Sequence, residues 1–311
     1  MTQKDSYEVV VVGGGTAGLS AALVLGRARR RTLVVDAGEP RNAPAAHMHG
    51  YLSRDGMPPA EFLALGREEI ARYGVELVRD RAVDVGKDGD FAVALASGRT
   101  VHARRLLIAT GLKDELPAVP GVAERFGRDV LHCPYCHGWE VRDQAFGVLA
   151  TSPMSVHQAL MVTQWSKDVT FFLHKVSEEE LSDDDLRRLA TAGVKVVPGE
   201  VTGLVTQDDR LTGVGLADGT THHREVLFVA PRAVPQTDLL RRLGAELRET
   251  PFGAYPVVDE TGLTTVPGVW SAGNARGFAE QVVNAAAGGY RAGSTINGEL
   301  LMSDLDATVR V

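Results

Sequence analysis

Residues 7–18 read YEVVVVGGGTAG. The run Tyr7-Glu8-Val9-Val10-Val11-Val12 is apolar and β-branched, the pattern of a parallel strand buried on both faces. Gly13-Gly14-Gly15-Thr16-Ala17-Gly18 follows as a G-x-G-x-x-G, and the stretch TAGLSAALVLGRARR has helical composition. Glycines at such a junction permit a tight turn, close approach of backbone to a pyrophosphate, and packing of helix on strand. The helix start offers unpaired N–H groups and the positive end of its dipole to phosphate. Thr32-Leu33-Val34-Val35 then makes a second strand ending in Asp36, placed to accept hydrogen bonds from a ribose. The glycine pattern alone is weak. Framed by strand, helix, strand and acid, it predicts a dinucleotide site.

The chain's 311 residues suffice for two domains of ordinary size. With 44% hydrophobic and 23% charged residues, the composition is that of a soluble globular protein. A formal charge of −7 argues against nucleic acid or an anionic membrane as the main partner. No apolar run reaches the roughly 18 residues of a membrane span. The opening MTQKDSYEVVVV has no charged leader, apolar core or cleavage site. Only two cysteines occur, which excludes a secreted disulfide framework and points to a reducing cytoplasm.

Both cysteines lie in HCPYCHGWE, His132 to Glu140. C-x-x-C-H is the haem attachment signature, but that chemistry belongs outside the cytoplasm. Zinc needs about four ligands, and the second pair here would have to come from scattered histidines such as His222 and His223. A dithiol/disulfide pair is the third reading, and its merit depends on a redox cofactor elsewhere in the chain.

Two further stretches supply one. Leu106-Leu107-Ile108-Ala109-Thr110-Gly111, followed by Pro117, Pro120 and Gly121, resembles the ATG strand and exit of flavoprotein disulfide reductases. Val266-Pro267-Gly268-Val269-Trp270-Ser271-Ala272-Gly273-Asn274 resembles their second flavin motif, with Asn274 where the family carries an acid. Asparagine can hydrogen-bond a ribityl hydroxyl but brings no charge. Gln281-Val282-Val283-Asn284-Ala285-Ala286 reads as a helix start aimed at the flavin pyrimidine. The whole chain thereby resembles the low-molecular-weight thioredoxin reductase family. The resemblance implies an α/β fold of two doubly wound, Rossmann-like domains, the second inserted into the FAD domain. The boundaries fall at about 1–114 with 231–311 for the FAD domain, and 115–230 for the domain carrying the cysteines. It implies FAD contacts from Gly13, Gly15, Thr16, Ala17 and Gly18 at the turn, and from Asp36, Arg41 and Val83 beyond it. Ala109, Thr110 and Gly111, then Gly273, Asn274, Gln281 and Val282, complete the set. It also implies a homodimer and no metal.

One family feature is missing. Where thioredoxin reductases repeat the glycine fingerprint for NADPH, this chain has Phe146-Gly147-Val148-Leu149-Ala150-Thr151-Ser152-Pro153-Met154-Ser155. Side chains replace the glycines, and Pro153 removes an N–H donor. The family's basic phosphate clamp appears as Leu173-His174-Lys175-Val176, followed by Glu178, Glu179 and Glu180. NADPH binding is therefore not expected, and this domain becomes a scaffold for the cysteines.

CPYCHG beside a degenerate second fingerprint resembles the dithiol oxidases that close disulfides in natural products, of the holomycin and gliotoxin type. That resemblance implies an FAD-dependent thiol–disulfide oxidoreductase that oxidises a small-molecule dithiol, with oxygen as acceptor and hydrogen peroxide as product. Cys133 then exchanges with substrate and Cys136 lies against the flavin. His137 is the candidate proton shuttle, though a histidine bonded to backbone at a helix start reads equally well. His132 is a weaker candidate. The loop Arg41–Gly56, with His47, His49 and Tyr51, either covers the flavin or substrate entry or is simply solvated. Tyr135 and Trp139 read as packing residues. Gly89 and Gly98 bracket a hairpin strand, Leu211–Thr220 forms another hairpin, and Glu178–Arg188 reads as one solvated helix. Two rivals stay open: a reductase of thioredoxin fed by ferredoxin or another flavoprotein, and a flavin-bearing sensor or binder without turnover.

Overall fold

The computed structural model describes residues 5–309. The chain packs as two compact units: one takes the residues up to Ala43, Pro59–Lys113 and Ala233 onward, the other Pro44–Pro58 and Asp114–Arg232. Assignment of Pro44–Pro58 to the second unit is absent from the boundaries drawn on sequence.

In the first unit the opening motif is β1 (Ser6–Val12), the turn, α1 (Thr16–Arg27) and β2 (Thr32–Asp36). Then come α2 (Pro59–Ala71), β3 (Glu76–Arg79) and an antiparallel addition, β4 (Ala82–Asp88) and β5 (Asp90–Leu95), that leads into β6 (Thr100–Ile108). The sheet runs β3-β2-β1-β6-β5-β4. One edge of β6 pairs parallel with β1, and its other edge serves two partners: its first half pairs antiparallel with β5, while Leu106–Ile108 pair parallel with the strand Val269–Ser271. The unbroken valine run of β1 has a direct cause. Val9 and Val11 face a core shared with α1, α2 and the C-terminal helix, whereas Val10 and Val12 face a second core with Leu33, Phe91 and Leu240. A strand covered on both sides has no polar face to show.

The second unit is also a parallel sheet, ordered 195–197, 169–172, 146–149, 226–229, 130–131, with the helices Ser155–Val162 and Asp183–Thr191 against it. The hairpin expected at 211–220 is part of a three-stranded sheet, Val201–Gln207, Arg210–Leu216 and Thr221–His223. The single charged helix expected over 178–188 is two pieces. A 3-10 turn at Glu178–Glu180 ends before Ser182, whose hydroxyl caps the helix Asp183–Thr191 by accepting from Asp185 N–H. Leu181 at the break and Leu189 are buried, and those contacts outweigh helical continuity. Among the described residues no helix is long and apolar enough to cross a membrane.

The helix Val282–Val309 crosses α1 at close range. A Cβ on Gly289 would collide with the Ala17 carbonyl, and one on Gly293 would sit 2.6 Å from Val24 Cγ1. This crossing sets the sign of a stability test. Helix propensity alone favours Gly289→Ala by about 1 kcal/mol. The collision predicts the reverse, a loss of about 1–3 kcal/mol, read as a lower thermal midpoint. A midpoint unchanged or raised in that variant contradicts the close packing.

Candidate active site

The first site is the opening turn. Gly13, at φ +110°, packs so tightly on Ala109 that any Cβ would meet its carbonyl, and a Cβ on Gly18 would strike the Gly13 carbonyl. At Gly15, by contrast, a Cβ would meet nothing within 4 Å. Gly15 is the N-cap of α1 and provides no side-chain cap, so the helix start is presented to a ligand. The turn is thus closed behind and open in front. Gly273 abuts it, its would-be Cβ 2.9 Å from that of Ala17, and so the second glycine motif meets the first. Thr110 Oγ1 donates to the Gln236 carbonyl at 2.6 Å, and Gln236 N–H donates to the Gly111 carbonyl at 3.0 Å, which fixes the ATG exit. Gln281 starts the C-terminal helix, its carbonyl accepting from Ala285 N–H at 2.8 Å just before Val282. Arg41 is half buried in the loop after β2. Val83 stands exposed on β4, in the antiparallel addition and not in the parallel sheet.

Asp36 ends β2 almost wholly buried. One of its oxygens accepts from Gly38 N–H at 3.0 Å, the other from Arg79 Nη1 at 2.5 Å, with Arg67 Nη2 at 3.6 Å. The two arginines hold the carboxylate in place and leave lone pairs for ribose hydroxyls. Sequence reading missed both, because they arrive from α2 and β3 through tertiary placement. Asn274 also behaves differently from expectation. Its Nδ2 donates to the Gly277 and Phe278 carbonyls, each at 3.2 Å. An aspartate has no such donor, so the substitution ties down the loop that follows.

The second site is the cysteine segment. Strand Val130–Leu131 delivers Cys133 as N-cap of the short helix Pro134–His137, with proline at its first position. Cys136 N–H donates to the Cys133 carbonyl at 3.1 Å, so both sulfurs leave the same turn. Both cysteines are half-buried thiols. Gln158 Nε2 donates to the His132 carbonyl at 2.7 Å and anchors the segment to the helix Ser155–Val162. Gly138 leaves room for Trp165, whose ring would lie 2.8 Å from a Cβ there. Tyr135 and Trp139 are not packing residues. They are 68% and 65% exposed; Tyr135 touches Trp165 by an edge contact and Trp139 lies under the Arg142 guanidinium. His137 is held below the usual histidine range by burial, an effect opposed by the Glu140 carboxylate and reinforced by His49. Near neutral pH it is therefore the uncharged imidazole, the form that accepts a proton.

Zinc does not fit this segment. His222 packs its ring edge on Phe172, and His223 Nδ1 lies 3.0 Å from the Thr212 carbonyl. Among the described residues no three His, Cys, Asp or Glu side chains form a set that could hold a metal ion.

The turn at 150–155 in the second unit is the counterpart of the opening turn. Thr151 N–H and Ser152 N–H both point to Ser155 Oγ, at 3.1 and 3.4 Å. The amides of Ser155, Val156 and His157 donate to carbonyls of the turn itself. Pro153 has no N–H to give. The donors that would hold a pyrophosphate are spent within the chain. At the former clamp, His174 Nδ1 accepts from Val201 N–H at 3.1 Å, and Lys175 pairs with Glu200 at 3.6 Å.

A family model described as pyridine nucleotide-disulphide oxidoreductase matches residues 7–289. A thioredoxin reductase, sirT, of Leptosphaeria maculans is 33% identical over 97% of this chain and 96% of its own. The crystal structure of HlmI superposes with a TM-score of 0.95 at 48% identity, covering 100% of this chain and 97% of that one. An oxidoreductase from Agrobacterium tumefaciens gives 0.89 at 39% identity, covering 96% and 99%. The chain belongs to the pyridine nucleotide-disulphide oxidoreductase family, among its thioredoxin reductase-like members. It is a redox enzyme, an FAD-dependent thiol–disulfide oxidoreductase, and the resemblance read from its motifs holds. The residues present fit FAD. An open glycine turn at a helix start suits a pyrophosphate, and a buried, arginine-held Asp36 suits a ribose.

Asp36→Ala removes the ribose acceptor and leaves two arginines facing each other. Flavin retained after gel filtration should fall, with FAD held roughly tenfold more weakly, about 1.4 kcal/mol. Full retention would contradict the assignment of Asp36.

Proposed function

We propose that this flavoprotein oxidises a small-molecule dithiol to an intramolecular disulfide through Cys133 and Cys136, with oxygen as terminal acceptor and hydrogen peroxide as product. The observation that carries this reading is the self-satisfied turn at Thr151–Ser155: with its donors committed to Ser155, a pyridine nucleotide is an unsuitable electron source. In this reading electrons enter at the cysteines instead.

A substrate thiol gives its proton to His137 and attacks Cys133 Sγ; the Cys133–Cys136 bond breaks and Cys136 leaves as a thiolate. The second substrate thiolate attacks the first substrate sulfur, so that the product disulfide forms and Cys133 is released. Two electrons and the protons of both substrate thiols now rest with the enzyme dithiol and His137. FAD supplies the route from the dithiol to oxygen, and the sum is dithiol plus oxygen giving disulfide plus hydrogen peroxide. Gly13–Gly18, Asp36, Thr110, Gly273 and Gln281 are the residues that hold the cofactor in this reading.

Tyr135 and Trp139 give the substrate an aromatic surface beside the sulfurs. They also favour a second reading, in which a protein such as thioredoxin docks there and electrons run outward from a reductant other than NADPH. In this reading the enzyme works in a reducing cytoplasm as a homodimer, and the exposed Tyr290, Leu301, Met302 and Leu305 of the C-terminal helix support a contact between copies.

Purified enzyme given a small dithiol in air, without nicotinamide, should consume oxygen and release peroxide equimolar with disulfide. Cys133→Ser and Cys136→Ser should each lower turnover by about three orders of magnitude or more. Peroxide formation surviving either substitution would sink the reading.

A further inference from the structure

His49 lies between two carboxylates. Its Nδ1 is 3.4 Å from Asp55 Oδ2 and its Nε2 is 3.5 Å from Glu140 Oε1. All three residues belong to the second unit. The loop carrying His49 is closed by two hydrogen bonds, Met48 N–H to the Met57 carbonyl and Gly56 N–H to the Met48 carbonyl, each 2.9 Å. Met48 is buried, and Gly50 N–H donates to Asp55 Oδ1 at 2.8 Å. Gly50 and Gly56 take φ of +78° and +79°, conformations that suit glycine and let the loop double back. The loop is thus built around a fixed His49–Asp55 pair.

The far carboxylate belongs to the redox segment. Glu140 follows His137 by three residues, and its N–H donates to the His137 carbonyl at 3.2 Å. The His49 side chain is only 18% exposed, while Asp55 and Glu140 at either end of it are 66% and 41% exposed, so the row has a covered centre and two wetted ends. Burial holds half-buried His137 below the usual histidine range, and the Glu140 carboxylate opposes that shift.

We propose that Asp55, His49 and Glu140 form a positioning array for His137: Asp55 orients the His49 ring, His49 holds the Glu140 carboxylate, and Glu140 balances the positive charge that His137 acquires on taking a substrate thiol proton. The last clause rests on the dithiol-oxidising reading; the array itself does not. No net proton is consumed, because what His137 takes from substrate it returns to the cysteine thiolates. His49 and Asp55 act through Glu140 and are positioning residues.

The test separates the two layers. The His137 ring is titrated by nitrogen-15 NMR in the FAD-loaded enzyme, as wild type, Glu140→Gln, His49→Gln and the double variant. Loss of the Glu140 charge removes support for the imidazolium, so His137 should titrate roughly half a pH unit lower in Glu140→Gln. In the His49→Gln background the same substitution should have a clearly smaller effect, since the carboxylate is no longer held. Asp55→Asn, at the more exposed end, should reproduce part of the His49 effect with the least risk to folding. A Glu140→Gln shift of equal size in both backgrounds overturns the array, and so does no shift at all. The acid limb of dithiol-dependent peroxide formation should move down with the NMR midpoint. If the midpoint moves and the limb does not, the array stands and the assignment of His137 as the thiol base fails.

Discussion

A strand–turn–helix junction has a small number of N–H donors at its helix start, and they serve either a phosphate or the chain itself. The rest of this structure depends on how that choice is made in two places. In the first unit, Gly13 and Gly18 press the turn shut from behind, while Gly15 leaves its front clear and the helix start uncapped by any side chain. In the second unit, Ser155 takes the Thr151 and Ser152 amides with one hydroxyl, Pro153 has none to give, and those of Ser155, Val156 and His157 bend back onto local carbonyls. The same topology therefore gives one nucleotide cradle and one self-satisfied turn.

The closed turn remains useful to the fold. The helix that Ser155 begins also carries Gln158, whose amide fixes the His132 carbonyl beside the cysteines. A domain that has spent its phosphate donors internally still holds a redox pair in register. Around that pair, burial keeps His137 uncharged near neutral pH, and a carboxylate from the same segment offsets part of the cost of charging it. In the proposed reaction such a histidine takes a thiol proton and gives it back beside the exchanging sulfurs.

What was legible in the sequence was local. The valine run, the glycine spacing and the acid at the end of β2 are dictated by backbone geometry within some thirty residues, and the structure builds them as read. The loss of the second fingerprint was visible as missing glycines; the serine that answers for them was not, because a hydroxyl's aim is a tertiary fact. Arg67 and Arg79 reach Asp36 from elements no spacing rule connects to it. His49 was noted only as a loop histidine, since nothing in its neighbourhood of the chain shows that Glu140 lies opposite. Residue type misleads at Tyr135 and Trp139: large aromatics are usually covered, and here the short helix and the turn after it project them outward. The charged stretch after Lys175 was read as one helix because its composition hides the cap at Ser182.

In the proposed reaction electrons enter at sulfur and not from a pyridine nucleotide. An anaerobic titration of the FAD-loaded enzyme tests it most directly, following the oxidised-flavin absorbance first under NADPH and then under a small dithiol. The yellow colour should persist through NADPH addition and be lost on adding dithiol. Stoichiometric bleaching by NADPH alone would contradict it.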